Sequence, residues 1–236
     1  MTIAVTFDAG QTLLQLDAEL LAARLAERDV TVLPAAIERA QPAAWAAYDA
    51  VVGAPDDAPA HPWQMFMRAL IRGAAPEVPE DVVAELAAWL FDEQPRRNLW
   101  RRQMPGMIEL VDELRAAGVT VAIVSNSEGR LAELLEEIGL ADRFAAVADS
   151  GQLEIEKPDR RIFDWLAGQL GIATDRFIHV GDSWAADIVG ARNAGARAIW
   201  FGPATTPQDG ADVVAAIDAA AVRAALVAWN VLPPRS

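Results

Sequence analysis

Three short apolar runs, each ending abruptly in polar residues, constrain this chain more than any other feature. They are Ile3-Ala-Val-Thr-Phe7 before Asp8, Val119-Thr-Val-Ala-Ile-Val124 before Ser125, and Phe177-Ile-His-Val180 before Gly181-Asp182. Continuous β-branched runs of this length mark strands buried on both faces of a parallel sheet. Parallel neighbours need crossover connections, and helical patterns lie between the later runs. One helix is predicted from Pro105 to about Ala117, where Gly118 stops it, and another near 128–139. A weak strand at 145–148, a helix from Pro158 to about Leu170 and a helix ending at Gly195 follow. Arg197–Phe201 reads as a further strand and 213–217 as a small last one before a C-terminal helix. The fold class is therefore α/β, a Rossmann-like parallel sheet with helices on both faces.

The stretch from 16 to 100 has a different texture. Apolar spacing predicts helices near 17–28, 34–52, 62–73 and 79–93, with no strand among them. Three prolines and a glycine make 53–62 a loop, and Gln94-Pro-Arg-Arg-Asn98 breaks the last helix like a hinge. A length of 236 residues permits one domain carrying a large insertion. The predicted division is 1–15 with 101–236 as an α/β core and 16–100 as an all-helical cap subdomain.

Composition narrows the function. With 53% hydrophobic residues the chain is not disordered. No cysteine means no disulfide scaffold, no thiol nucleophile and no thiolate metal site. A formal charge of −14 repels nucleic acid and anionic membrane, so neither is expected as a partner. The start carries no basic segment before its apolar run, and no apolar stretch is long enough to span a bilayer. The expectation is a cytoplasmic protein acting on a small molecule. The sequence does not state its oligomeric state.

Four polar clusters fall where parallel strands should end, the place where such sheets bind ligands. They are Asp8-Ala9-Gly10-Gln11-Thr12, Ser125-Asn126, Lys157-Pro158, and Gly181-Asp182-Ser183 with Asp187. Each alone is an ordinary turn or a solvated charge. Together, Asp8, Asp182 and Asp187 gather three carboxylates, and a phosphoryl group would add roughly two more negative charges. A hard Mg²⁺ ion and Lys157 offset that charge, Ser125 donates to a phosphoryl oxygen, and Asp8 remains as the nucleophile. Lys157 is the only lysine beside 19 arginines, which marks it for a role that arginine cannot fill.

In this ordered pattern the chain resembles the haloacid dehalogenase (HAD) superfamily, mostly phosphatases. The Asp8 segment resembles its first motif, Ser125 its second and Lys157-Pro158 its third. Gly181-Asp182-Ser183 with Asp187 resembles the fourth, and the helical insertion resembles the family's cap. The resemblance implies Asp8 as nucleophile and Lys157 beside it in catalysis. It implies Mg²⁺ on Asp8, the Gly10 carbonyl and Asp182 with Asp187 in support, and Ser125, Asn126 and Lys157 on the phosphate. Thr12 is placed with them on the substrate side. The departure is at Gly10, where family phosphatases usually carry a second Asp as general acid/base.

The leading expectation is a Mg²⁺-dependent phosphohydrolase forming an aspartyl phosphate on a small phosphorylated metabolite, either slow or restricted to good leaving groups because Gly10 replaces the usual general acid/base Asp. The alternatives are a metal-independent 2-haloacid dehalogenase, which also lacks the second Asp but usually lacks the acid that Asp182 matches, and a non-catalytic phosphate-binding or interaction protein. A phosphonatase is excluded, because it needs a cap lysine and Lys157 is the only lysine. Gly190-Ala-Arg-Asn-Ala-Gly195 has P-loop glycine spacing without the Lys-Ser/Thr that follows it, and reads as a helix end. His179 is expected to be structural. Trp45, Trp63, Trp89 and Trp100 read as packing or as a substrate wall. Arg96, Arg97, Arg101 and Arg102 read as a solvated hinge or an anion screen, and His61 and Tyr48, the only His and Tyr of the cap, as an alternative source of a proton.

Overall fold

A computed structural model of the chain describes residues 2–51, 61–202 and 212–234. The chain forms two compact units, Met1–Gln15 with Trp100–Ser236, and Leu16–Leu99. It opens with β1 (Ala4–Phe7) and β2 (Leu14–Leu16). The helical unit then holds α1 (Ala18–Ala26), α2 (Pro34–Asp49), α3 (Pro62–Ala74) and α4 (Glu80–Glu93). Next come β3 (Trp100–Gln103), which pairs with β2, then α5 (Met107–Ala116), β4 (Thr120–Ser125) and α6 (Leu131–Glu137). After them are β5 (Val147–Asp149), the single turn α7 (Ser150–Leu153), α8 (Arg161–Leu170) and β6 (Phe177–Gly181). A π-helical turn at Trp184–Ile188 leads into α9 (Val189–Asn193), β7 (Arg197–Phe201), β8 (Val213–Ala216) and α10 (Ala219–Ala228).

Six strands form one parallel sheet in the order β5-β4-β1-β6-β7-β8. The α/β class expected from the apolar runs is the one observed. Strand alternation sends Ala4, Ala122, Val124, Phe177 and Ala198 to the face where Ile162, Phe163 and Leu166 of α8 and Ala191 of α9 complete a core. On the other face α5 packs on β4 and α10 packs on α5 and β8. The chain leaves β1 for β4 on one side and reaches β6 on the other. The C-terminal ends of β4, β1 and β6 therefore lie side by side at the point where strand order reverses.

The differences from the sequence reading are local. Helix α8 starts at Arg161 rather than Pro158, because Pro158 sits in a turn closed by the Asp159 N–H on the Glu156 carbonyl. Helix α2 ends at Asp49, with Pro34 in its first turn and Pro42 inside it. The helix expected after β6 begins as a π turn. The loop expected at 53–62 lies outside the described residues up to position 60. β2 and β3 carry no strand pattern in the sequence: one is three residues long and the other reads Trp-Arg-Arg-Gln.

In the helical unit, the Asp17 carboxylate caps α1 by accepting from the Leu20 N–H at 2.9 Å. Leu21, Leu25, Ile37, Phe66, Met67, Leu70, Val83 and Leu90 fill its interior. Among the described residues, no helix is long and apolar enough to cross a membrane.

Candidate active site

The site is built where β1, β4 and β6 end. The Asp8 N–H donates to the Val180 carbonyl at 2.8 Å, so the residue after β1 is still tied to the neighbouring strand. Asp8 is largely buried, and its Oδ1 accepts from Lys157 Nζ at 2.6 Å. The same ammonium donates to Asp187 Oδ1 at 2.5 Å and to the Val124 carbonyl at 2.8 Å. An ammonium has three N–H groups, and here each has an acceptor. Lys157 reaches this position because Asn126 grips its main chain from both sides. The Lys157 N–H donates to Asn126 Oδ1 at 2.8 Å, and Asn126 Nδ2 donates to the Lys157 carbonyl at 3.0 Å.

Asp187 lies in the π turn, one of the irregular turns that recur at functional sites. Its Oδ2 accepts from the Ser183 N–H at 2.9 Å, while His179 Nε2 stands 3.0 Å from its Oδ1. A Cβ on Gly181 would fall 2.2 Å from Asp187 Cγ, so the strand end must be glycine for Asp187 to fit. Asp182 is half-buried. Its side chain meets the Thr12 hydroxyl at 3.5 Å, and its main-chain carbonyl accepts from the Trp200 indole N–H at 2.9 Å. One carboxylate oxygen each from Asp8, Asp182 and Asp187 can be chosen so that all three lie within 4.8 Å of one another.

Burial and charge push these groups apart. Burial raises the Asp8 carboxyl, and Lys157 only partly opposes it. Asp182 is pushed well above the usual carboxylate range by burial and by the charges of Asp187 and Asp8. Burial would raise Asp187 too, but Lys157 and His179 outweigh it and hold this carboxyl well below its ordinary value. For Lys157, burial is overcome by Asp187 and Asp8, and the net shift is upward. His179 is pushed down by burial against the pull of Asp187. Lys157 contacts Asp8 and Asp187, and Asp182 has no cationic partner among the described residues. An acidic group destabilised in this way by two neighbouring carboxylates fits a site for a hard divalent cation. The Gly10 carbonyl suits the same purpose: among the described residues it accepts no hydrogen bond, whereas the Ala9 carbonyl beside it accepts two.

Most of the residues singled out in the sequence converge here: Asp8, Lys157, Asp182, Asp187 and Thr12 by contact, and Ser125 by its place at the end of β4. Asn126 arrives with its amide engaged on the Lys157 main chain. Several supporting residues carry no signal in the sequence. The Asp149 carboxylate accepts N–H groups from Gly129, Gly151 and Leu131, and Ser150 both donates to and accepts from the Ser127 main chain. Together they fix the loop after Ser125. A Cβ on Gly151 would lie 2.4 Å from the Gly129 nitrogen, so the two loops approach as closely as backbone allows. Gln11 has φ 55°, a region glycine favours, although glycine occupies the position before it. Gly10 itself is outside that region. A Cβ there would stand 3.7 Å from Trp100 Cδ1 and 3.9 Å from Asp8 Oδ2, in ordinary contact.

The remaining candidates are placed elsewhere. His61 caps α3, its Nδ1 accepting from the Trp63 N–H, and Tyr48 packs edge-on to Trp45. Arg97 pairs with Glu27, and Arg101 pairs with Glu137. Gly195, at φ 80° just beyond α9, is the helix end that its spacing suggested.

Comparison with known proteins agrees with this geometry. The haloacid dehalogenase-like hydrolase family model matches residues 4–195. A phosphoserine phosphatase from Thermus thermophilus is 36% identical over 138 residues, which are 58% of this chain and 52% of that protein. A phosphoglycolate phosphatase from Agrobacterium fabrum is 40% identical over 99 residues, 42% of each chain. The chain thus spans about half the length of the curated relatives it matches. A HAD-family hydrolase from Deinococcus radiodurans, solved with bound phosphate and sodium, is 26% identical with a TM-score of 0.61 and covers 99% of both chains. A magnesium-bound HAD hydrolase from Bacillus subtilis shares the fold at 18% identity, with a TM-score of 0.65 over 95% of this chain and 98% of that one. The family model spans most of the chain, from β1 to the end of α9, and the chain belongs to the haloacid dehalogenase-like hydrolase family.

Proposed function

We propose that the protein is a Mg²⁺-dependent phosphohydrolase acting through an aspartyl phosphate, on small phosphorylated metabolites whose leaving groups depart readily. The observation that carries this reading is Lys157. It bonds Asp8 Oδ1 and Asp187 Oδ1 but makes no ion pair with Asp182 beside them, whose carboxyl stays pushed well above its usual range. With Oδ1 on Lys157, Oδ2 is the Asp8 oxygen left to attack phosphorus. As the Oδ2–P bond forms, the bond to the leaving-group oxygen breaks and its electron pair goes to that oxygen. A water molecule then attacks the phosphorus of the acyl phosphate, releasing inorganic phosphate and the Asp8 carboxylate.

Asp8, the Gly10 carbonyl and Asp182 would hold Mg²⁺ with Asp187 behind them, and the ion would draw charge off the phosphoryl oxygens. Ser125 and Thr12 line the phosphoryl side. Asn126 serves by holding Lys157, with one Nδ2 proton left for a phosphoryl oxygen. Gly10 has no side chain to protonate a leaving alkoxide or to take a proton from water. The relatives named as phosphoserine and phosphoglycolate phosphatases support the substrate class, and the cytoplasm is the compartment such metabolites imply.

The test is a screen of phosphate esters and acyl phosphates with Mg²⁺ and with EDTA, beside halide release from 2-chloropropionate. Mg²⁺-dependent phosphate release is expected. The missing second Asp favours one other reading, the dehalogenase. Halide release insensitive to EDTA, without phosphatase activity, would establish that reading and remove the proposal.

A further inference from the structure

His179 reads from sequence as an ordinary core residue of β6, and it is fully buried. Its surroundings are not those of a packing residue. Register places Thr6 of β1 directly opposite it, so both side chains point to the same face of the sheet, and Nδ1 lies 2.9 Å from the Thr6 hydroxyl. The Phe163 ring of α8 stands perpendicular to the imidazole at 5.1 Å and fixes its plane. At the other end Nε2 is 3.0 Å from Asp187 Oδ1. An ionised carboxylate only accepts, so Nε2 carries the proton, and in the neutral ring Nδ1 accepts from Thr6. From Asp187 the line continues through Lys157 Nζ at 2.5 Å to Asp8 Oδ1 at 2.6 Å. An unbroken series of buried hydrogen bonds therefore runs from the middle of the sheet to the residue at its edge.

We propose that His179 is a positioning residue for Asp8, acting through Asp187 and Lys157 and held in its own orientation by Thr6. Asp187 Oδ1 receives Lys157 and His179 together. Without the imidazole N–H, that oxygen has one donor left, and the carboxylate is free to turn about its anchor on the Ser183 N–H. Lys157 then loses the fixed acceptor that sets its aim. The role rests on the reading of Asp8 as nucleophile, but its geometric part can be measured without turnover. Lys157 is the only lysine, so selective ¹⁵N-lysine labelling yields a single side-chain ammonium signal.

The experiment compares wild type with His179→Leu, His179→Gln and Thr6→Val, reading the Lys157 Nζ signal and its proton exchange together with kcat and KM for p-nitrophenyl phosphate. Wild type should show a slowly exchanging ammonium. In His179→Leu exchange should quicken, and kcat should fall by about 10–100-fold with KM little changed, the usual effect of losing a supporting hydrogen bond behind a reactive group. His179→Gln keeps a donor for Asp187 and should restore the slow signal and most of the lost turnover. Thr6→Val removes only the far end of the series and should give a smaller change in the same direction, which remains readable if the Leu variant does not fold.

An Nζ signal and kcat unchanged in both His179→Leu and Thr6→Val would overturn the proposal. So would equal damage by Gln and Leu in folded protein, which would reduce His179 to packing. If wild type turns over no phosphate compound while the Nζ signal responds as expected, the phosphatase reading fails and the positioning stands.

Discussion

Lys157 in the sheet unit and Arg24 in the helical unit are both almost completely buried, and they are held in opposite ways. Lys157 has three acceptors for three N–H groups, all within 2.8 Å. Arg24 has the Glu27 and Glu93 carboxylates at 3.7 Å, and none of its guanidinium nitrogens makes a hydrogen bond among the described residues. Instead it lies 4.4 Å from the centre of the Trp89 ring, which Arg28 also approaches at 4.5 Å. Net shifts follow the contacts: Lys157 is held protonated more firmly than usual, while burial and the neighbouring Arg97 lower Arg24. A buried cation whose every donor is aimed specifies the geometry of its partners. A buried cation resting on a ring and on distant carboxylates contributes packing and little direction.

Substitutions can sharpen that contrast. The largest effect is expected for Asp8→Asn, which removes the nucleophile. Phosphate release should vanish, and any turnover equal to wild type would exclude an aspartyl phosphate. Lys157→Arg comes next: the planar guanidinium cannot meet Asp8, Asp187 and the Val124 carbonyl together, and kcat should fall by at least about 10²-fold. Gly181→Ala forces a methyl into Asp187 and should lose activity together with about 1–3 kcal/mol of stability, read by denaturant melts. Arg24→Met is the smallest. It removes a guanidinium that rests on Trp89 without a hydrogen bond and leaves two partly exposed glutamates, so stability should change by less than about 1 kcal/mol with kcat unaltered. A collapse of folding in Arg24→Met would show that loose burial of a charge can specify structure after all.

The two units also differ in what the sequence reveals. Strands β1, β4 and β6 are legible because burial on both faces requires uninterrupted apolar runs, and their ends announce Asp8, Ser125 and Asp182. The helices of the second unit are legible by period alone, so their ends drift by a few residues. What stays hidden is three-dimensional closure. Asp149 looks like any strand-end acid until three backbone N–H groups converge on it. The π turn that holds Asp187, and the close approach of Asp187 to Gly181, are encoded by no local pattern. His179 looks structural in the sequence because its partners Thr6 and Asp187 come from elements that only the folded sheet brings together.

Gly10 carries the central claim, and the structure leaves room to test it. Its backbone is not left-handed, and a Cβ would make only ordinary contacts with Trp100 and Asp8. Gly10→Asp should therefore restore a carboxyl beside the nucleophile without strain. The measurement is kcat/KM against leaving-group pKa, from acetyl phosphate through p-nitrophenyl phosphate to glycerol phosphate, for wild type and Gly10→Asp. General acid catalysis is worth about 10²–10⁴-fold and matters most for alkoxides, so the wild-type rate should fall steeply with leaving-group pKa and the variant should flatten the slope. Equal, fast turnover of alkyl and acyl phosphates by the wild type would contradict the account, because it would require a proton donor that Gly10 cannot be.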